Sequence, residues 1–229
     1  MIPYKDDNPS STLPLVTVSL IILNIAVYLL GVFSPGGQQQ VVYFYGAIPH
    51  NLITFDKTQP LHPVATIFSS MFLHGGLFHL AGNMLYLWIF GNNIEDRLGH
   101  IKFLLFYILS GIVAAYAHTI SAPDSLIPMI GASGAVSGVL GAYLLLFPRA
   151  GVYTIIFFGF FWQTIKVPAV VVIGFWAIIQ IINAIISKSL LNQGGVAWFA
   201  HVGGFLFGLL TVRLWMLGRL PSGRLRSLF

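Results

Sequence analysis

Stretches of about twenty residues without a charge recur along this chain, and they limit its possible folds more than any motif does. Residues 13–33, 76–94, 131–148 and 168–187 contain no Asp, Glu, Lys or Arg. Residues 101–120 contain only Lys102, and 197–217 only Arg213. A hydrocarbon core of about 30 Å needs about 20 apolar helical residues, so these six segments read as membrane-spanning helices. Charged residues are 7% of the 229, against about 25% in a soluble domain. That is too little charge to cover a water-facing surface, and too much hydrophobicity for a disordered chain. With no cysteine, a disulfide framework, a cysteine nucleophile and a Cys-ligated metal site are excluded. The net charge of +5 comes from scattered basic residues with no basic stripe, so nucleic acid is not an expected partner. The expectation is an all-α membrane protein, a six-transmembrane-helix bundle forming one domain over residues 1–229.

Charge placement gives the orientation. The N-terminus, the second and fourth connections and the C-terminus share one side of a six-span bundle. They carry Lys5, Arg97, Lys102, Arg149, Lys166, Arg213, Arg219, Arg224 and Arg226, whereas the other side has only Lys57 and Lys188. By the positive-inside bias both termini should be cytoplasmic. The first connection, residues 34–75, should face outward, and its length hints at function. Two shorter apolar runs remain. Residues 64–73 read as an interfacial piece, and 152–165, between Arg149 and Lys166, as a loop or interfacial piece too short to span comfortably. The first segment begins at Leu13-Pro14 behind Asp6-Asp7, which does not fit a cleaved signal peptide. A short chain without a targeting extension suits a prokaryotic plasma (inner) membrane.

Polar groups inside a bilayer are costly, so each one is a functional candidate. His79 and Asn83 lie four apart on one face of the second segment, with His74 just before it. The fourth segment opens Gly131-Ala132-Ser133-Gly134, and the sixth carries Ala200-His201-Val202-Gly203-Gly204. Gly134, Gly138 and Gly141 form one small-residue face and Gly204 and Gly208 another, so these two helices can approach closely. The even-numbered segments all run inward, and His79, Ser133 and His201 each fall within about two turns of the outer end. Ser133 and His201 can therefore reach hydrogen-bond distance, with His201 as the base that activates the serine. A carboxylate partner is hard to find. Asp6, Asp7, Asp56, Glu95 and Asp96 lie in the tail, the outer loop or at the inner end of the second helix. Asp124, in the third connection nine residues before Ser133, is on the correct side but is a poor candidate as a loop acid. The economical reading is a Ser–His dyad. Acyl transfer also needs donors for the developing oxyanion, which the Ser133 N–H, His79 and Asn83 can supply.

These residues resemble the rhomboid family of intramembrane serine proteases. The resemblance rests on His79-Leu-Ala-Gly-Asn83, Gly131-Ala132-Ser133-Gly134, Ala200-His201-Val202-Gly203-Gly204 and Gly91-Asn-Asn-Ile-Glu95-Asp96-Arg97-Leu98-Gly99, in the family's order and spacing. It implies that Ser133 is the nucleophile and His201 the base. It places His79, Asn83 and the Ser133 N–H at the oxyanion site. His74, Gly131, Ala132, Gly134 and Gly204 would be supporting positions, with His74 at a water-retaining site. Glu95 and Arg97 would cap or bridge at the cytoplasmic end. The fifth helix and its loop would gate entry. The implied reaction needs no cofactor and no metal, and the implied partners are transmembrane protein substrates and membrane lipids.

The chain departs from the family in two places. Ser137 stands where some members carry an aromatic residue stacked on the catalytic histidine, which would leave His201 held by helix packing alone. The first loop reads Tyr43-Phe-Tyr-Gly-Ala-Ile-Pro49 in place of a Trp-Arg pair. Three other functions compete. One is a catalytically silent relative that binds client helices. Another is a channel or transporter, which would need more charge in its spans. The third is a zinc site at His74, His79 and His201, which would lack a carboxylate. The oligomeric state is left open.

Overall fold

The computed structural model describes residues 2–159, 161–189 and 196–217, with the side chains of residues 188 and 189 outside that description. Lys188's side chain and Arg219, Arg224 and Arg226, which entered the orientation argument, therefore lie outside it. All six apolar segments are helical. Helix α1 is Leu15–Val32. Three short helices follow in the long connection: α2 (Gly37–Tyr45), α3 (Pro49–Thr54) and α4 (Pro63–Ser70). The second segment is a continuous rod. It comprises α5 (Leu77–Tyr86), a π-helical turn (Leu87–Gly91) and α6 (Asn92–Leu98), and it ends where Gly99 takes φ +79°. Helices α7 (His100–Ser121), α8 (Ser133–Leu146), α9 (Ala169–Ser189) and α10 (Trp198–Trp215) complete the bundle.

Four of these, α1, α7, Ala169–Ser187 of α9 and α10, are long and apolar enough to cross a membrane. Their outward faces carry exposed Leu23, Leu30, Ile182, Ile185, Leu210 and Leu214. Such a surface is stable only against lipid, so the chain is an integral membrane protein. Helix α8 is different. It has 14 residues, and every residue from Gly134 to Tyr143 is buried. It is the inner helix, wrapped by the others, and at a rise of 1.5 Å per residue it reaches only about 21 Å.

The closest association in the bundle is α8 with α10, and α7 packs against both. Glycine explains the approach. A Cβ at Gly204 would overlap the Gly134 carbonyl, one at Gly208 the Gly138 carbonyl, and one at Gly141 the Phe205 carbonyl. Backbone lies on backbone along this seam, as the two small-residue faces predict. Below it the core is filled by Phe90, Phe103, Phe106, Tyr107, Leu140 and Tyr143.

Two expectations need correction. The run 152–165 is not a loop. It lies in a hairpin of β2 (Gly151–Phe158) and β3 (Phe161–Pro168), paired from Gly151↔Pro168 to Phe158↔Phe161. A third antiparallel strand, β1 (Ile2–Asp6), adds to β2 with Ile2 opposite Ile155 and Asp6 opposite Val152. The molecule is therefore mostly helical, not all-α. The run is too short for a spanning helix, and its β-branched and aromatic residues favour a strand once β1 completes the ladder. The run 64–73 is the short helix α4 followed by a turn.

The long first connection is ordered onto the site. Ala47 and Met129 exchange two backbone hydrogen bonds of 3.1 and 2.8 Å, and the His50 N–H donates to the Ser125 carbonyl. The Gly131 N–H donates to the Ser70 carbonyl at the end of α4. The chain entering α8 is thus pinned by α3 and α4.

The opposite end is held by carboxylates. Glu95, fully buried, accepts from the N–H groups of Val16 and Thr17 at 2.8 and 2.7 Å and from the Thr17 hydroxyl at 2.7 Å. These are first-turn donors of α1 that no helical carbonyl can satisfy, at the positive end of its dipole. His100 also bonds Glu95. Asp96 accepts from the backbone and hydroxyls of Ser11 and Thr12. Asp6 accepts from the Tyr143 hydroxyl and the Asn93 amide, and Asp7 from the Gly151 N–H while pairing with Lys166. Arg97 lies 5.2 Å from the centroid of the Phe147 ring. The capping role expected of Glu95 matches its contacts, whereas Arg97 lies over a ring, a contact that is neither a cap nor a bridge.

Candidate active site

Three helix beginnings meet at the other end of the bundle. Ser133 is the first residue of α8, His201 the fourth of α10 and His79 the third of α5. The glycine seam draws α8 against α10, and Ser133 Oγ comes to 2.8 Å from His201 Nε2. A hydroxyl can donate to an imidazole nitrogen at that distance, so the pair has the geometry of a nucleophile with its base.

The backbone before the serine is unusual as well. Gly131 has φ +116°, a conformation that a side chain rarely tolerates. A Cβ there would lie 2.7 Å from His79 Nε2 and 3.5 Å from Ser133 Oγ. The His79 imidazole and the serine hydroxyl therefore flank one space the size of a methyl group, left open by a glycine. Ala132 is fully buried, and Gly134 faces Ala114 and Ala200 at the helix crossing. As the first residue of α8, Ser133 has an N–H with no acceptor within the helix. Hydroxyl and imidazole thus lie around one space, at the helix end where this N–H has no helical acceptor.

A cavity of about 720 Å³ opens from this point, lined among others by His79, Asn83, Ser133, Trp176, Trp198 and His201. Asn83 lines it while its Nδ2 donates to the His79 carbonyl at 3.1 Å. That bond orients the amide and uses one of its two hydrogens. His74 sits behind His79, fully buried, with the two rings edge to face and their centroids 5.0 Å apart. Its backbone carbonyl accepts from the Gln38 amide, which ties the turn before α5 to α2.

Two other candidates are not at the dyad. Asp124 lies on the exposed loop between α7 and α8. Ser137 is buried, and its hydroxyl donates to the Ser133 carbonyl one turn back. It steadies the first turn of α8 and leaves the histidine to others.

Helix packing alone does not hold His201. Its Nδ1 lies 2.7 Å from Gln180 Oε1, and its ring is flanked by Trp176 at 6.1 Å and Trp198 at 5.9 Å between centroids. Sequence reasoning passed over all three residues. Gln180 did carry a signal: it is an amide in an uncharged stretch that reads Ile178-Ile-Gln-Ile-Ile, the kind of polar intrusion that marks a functional position in a membrane helix.

Residues 62–218 match the family model described as Rhomboid domain. The chain is 32% identical over 149 residues to the yeast (Saccharomyces cerevisiae) protein named "Rhomboid protein 1, mitochondrial", covering 63% of this chain and 40% of that one. It is 25% identical over 211 residues to the Arabidopsis thaliana "Rhomboid-like protein 11, chloroplastic", covering 89% and 65%. Against the Bacillus subtilis "Rhomboid protease GluP" the identity is 33% over 132 residues, covering 57% of this chain and 24% of that protein. The chain thus spans from about a quarter to two thirds of the length of these curated relatives.

Proposed function

Because the chain belongs to the rhomboid family, we propose that it is an intramembrane serine endopeptidase that cleaves transmembrane protein substrates near the outer leaflet. The observation that carries this reading is the 2.8 Å approach of Ser133 Oγ to His201 Nε2 across the glycine seam. A protease among its relatives supports it.

The chemistry follows from the geometry. Ser133 Oγ attacks the scissile carbonyl carbon as its proton passes to His201 Nε2. The carbonyl oxygen becomes an oxyanion that the Ser133 N–H, the His79 imidazole and the Asn83 amide can meet. His201 returns the proton to the leaving amine, and the peptide bond breaks to leave an acyl-serine. Water, deprotonated by His201, attacks the acyl carbon and releases the new carboxyl end with Ser133 restored. Each group is neutral before the reaction, which suits a site sunk between helices where a lone ion is costly. An intact substrate helix hides its carbonyls in hydrogen bonds. Cleavage sites should therefore carry small or helix-breaking residues that let the chain unwind.

In this reading the rod Leu77–Leu98 and the inner helix α8 span together with the four longer helices. Both ends of the chain are cytoplasmic, and the membrane is a prokaryotic plasma membrane. The nine-to-two distribution of basic residues supports the orientation.

The test is labelling of the purified protein in liposomes by a fluorophosphonate probe, beside cleavage of a single-span substrate. Wild type should label and cut. Ser133→Ala and His201→Ala should do neither while keeping wild-type thermal unfolding. Comparable cleavage by Ser133→Ala would overturn the proposal. A folded wild type that neither labels nor cuts would transfer the reading to client-helix binding.

A further inference from the structure

Gln180 stands on α9, away from the motifs that carry the dyad, and is 6% exposed. Its two amide atoms have different partners. Nε2 donates to the Trp176 carbonyl one turn earlier at 3.2 Å, and Oε1 faces His201 Nδ1 at 2.7 Å. This arrangement has one consistent reading. A carbonyl only accepts, so the amide nitrogen must face Trp176 and the amide oxygen must face the ring. The amide oxygen also only accepts, so Nδ1 must carry the imidazole proton. Nε2 then presents its lone pair to the Ser133 hydroxyl at 2.8 Å. Rotating the amide by half a turn would set two carbonyl oxygens against each other. It would also place a donor on Nδ1, favouring the tautomer that cannot take the serine's proton.

We propose that Gln180 is the positioning residue of the His201 base, fixing its tautomer and ring rotation from α9 in the place a carboxylate holds in a Ser–His–Asp array. Trp176 and Trp198 limit the tilt of the ring but accept no hydrogen bond from Nδ1. An amide does this without adding a buried negative charge to a site inside the bilayer. The inference rests on the Ser133–His201 reading for its catalytic consequence, but its physical content is the tautomer, which can be read without turnover.

The experiment uses the full chain in detergent micelles, with ¹⁵N-labelled histidine and the His201 resonances assigned by their loss in His201→Asn. Wild type should show protonated Nδ1 and bare Nε2. Gln180→Leu, which suits an apolar helix, should show a mixture of tautomers. With a cleavable transmembrane substrate, Gln180→Leu should lower kcat about 10- to 100-fold per probe-titrated active site with KM unchanged, the range found when the orienting partner of a metal-bound imidazole is removed. Gln180→Glu retains the acceptor. It should recover most of kcat and move the acid limb of the kcat/KM profile to higher pH, because a carboxylate favours the imidazolium. A wild type with Nε2 protonated, or a Gln180→Leu protein with unchanged tautomer and kcat, would overturn the proposal. A correct tautomer in a wild type without Ser133-dependent cleavage would uphold the positioning and overturn the protease reading.

Discussion

The two ends of this bundle solve the problem of buried polarity in opposite ways. At the end that holds the N-terminal strand, Asp6, Asp7, Glu95 and Asp96 each accept bonds from backbone, hydroxyl, amide or cationic groups. At the end that holds Ser133, no carboxylate takes part among the described residues; the working groups are a hydroxyl, imidazoles and amides. A buried anion is tolerable where fixed donors meet it permanently, as the first turn of α1 meets Glu95. On the proposed reading, charge at Ser133 and His201 develops only during the reaction, so the resting site requires no permanent counter-charge. Four of the six acids thus accept bonds at one end, while the other brings together a hydroxyl, imidazoles and amides that would become charged only in the proposed reaction.

The largest expected effect comes from breaking the seam that joins the two ends. Gly208→Leu places a side chain where the Gly138 carbonyl already lies. Backbone atoms cannot rotate away, so α10 must separate from α8. Overpacking of this kind costs about 1–3 kcal/mol and sometimes more. Both readouts should fall together: a lower thermal midpoint and loss of fluorophosphonate labelling. Wild-type labelling in this variant would show that the seam is not what brings His201 to Ser133.

Glu95→Ala should separate the ends. It leaves the Val16 and Thr17 N–H groups and the Thr17 hydroxyl without their acceptor, a loss of about 3 kcal/mol or more at the usual cost per unsatisfied buried group. The thermal midpoint should drop sharply, yet labelling per folded molecule should stay at the wild-type level. His79→Ala should do the reverse. Loss of one oxyanion donor typically costs about 10²–10³ in kcat, and the midpoint should hardly move because His79 lines a cavity. A parallel loss of stability in His79→Ala would assign that ring to structure instead.

How much of this was legible in the sequence follows the same division. The helical segments were plain because twenty uncharged apolar residues have few other stable forms. Ser133, His79 and His201 were plain because polar groups stand out against that background. The glycine seam was legible from its i, i+4 spacing. The sheet was not. Residues 152–165 are apolar without alternation, and β1, with Pro3, Lys5 and Asp6, resembles no strand until β2 pairs with it. Gln180 was missed for a related reason. Its meaning lies in a contact between two helices 21 positions apart, and α9 carries no glycine motif to draw attention to it. The ordering of residues 34–75 against the 122–131 loop is likewise a matter of tertiary hydrogen bonds that no local pattern encodes.

The smallest effect tests whether the clamped end is held by charge or by shape. Asp6 and Asp7 are neighbours with opposite responses. Burial pushes the Asp6 carboxyl above its ordinary value of 3.8, so its ionisation opposes folding, and that opposition fades as pH falls. The Lys166 ammonium beside Asp7 holds that carboxyl below 3.8, and Asp7 in turn raises Lys166 above 10.5. A depressed folded value means that the Asp7 contribution is fully present above about pH 4 and is lost as pH falls through the lowered folded value. The Lys166 contribution has the opposite sense: it is complete below 10.5 and lost as pH rises past its raised value. Asp7→Ala, which removes both the charge and the acceptor, should therefore lower the thermal midpoint slightly across neutral pH, with the difference from wild type vanishing on acidification if charge is what matters. Exposed ion pairs are weak and salt-sensitive, so that difference should also shrink in high salt. A difference that persists unchanged at low pH and high salt would show that Asp7 acts through its bond from the Gly151 N–H. The hairpin would then be held by backbone geometry, and the contrast between the charged and neutral ends would rest on Glu95, Asp96 and Asp6 alone.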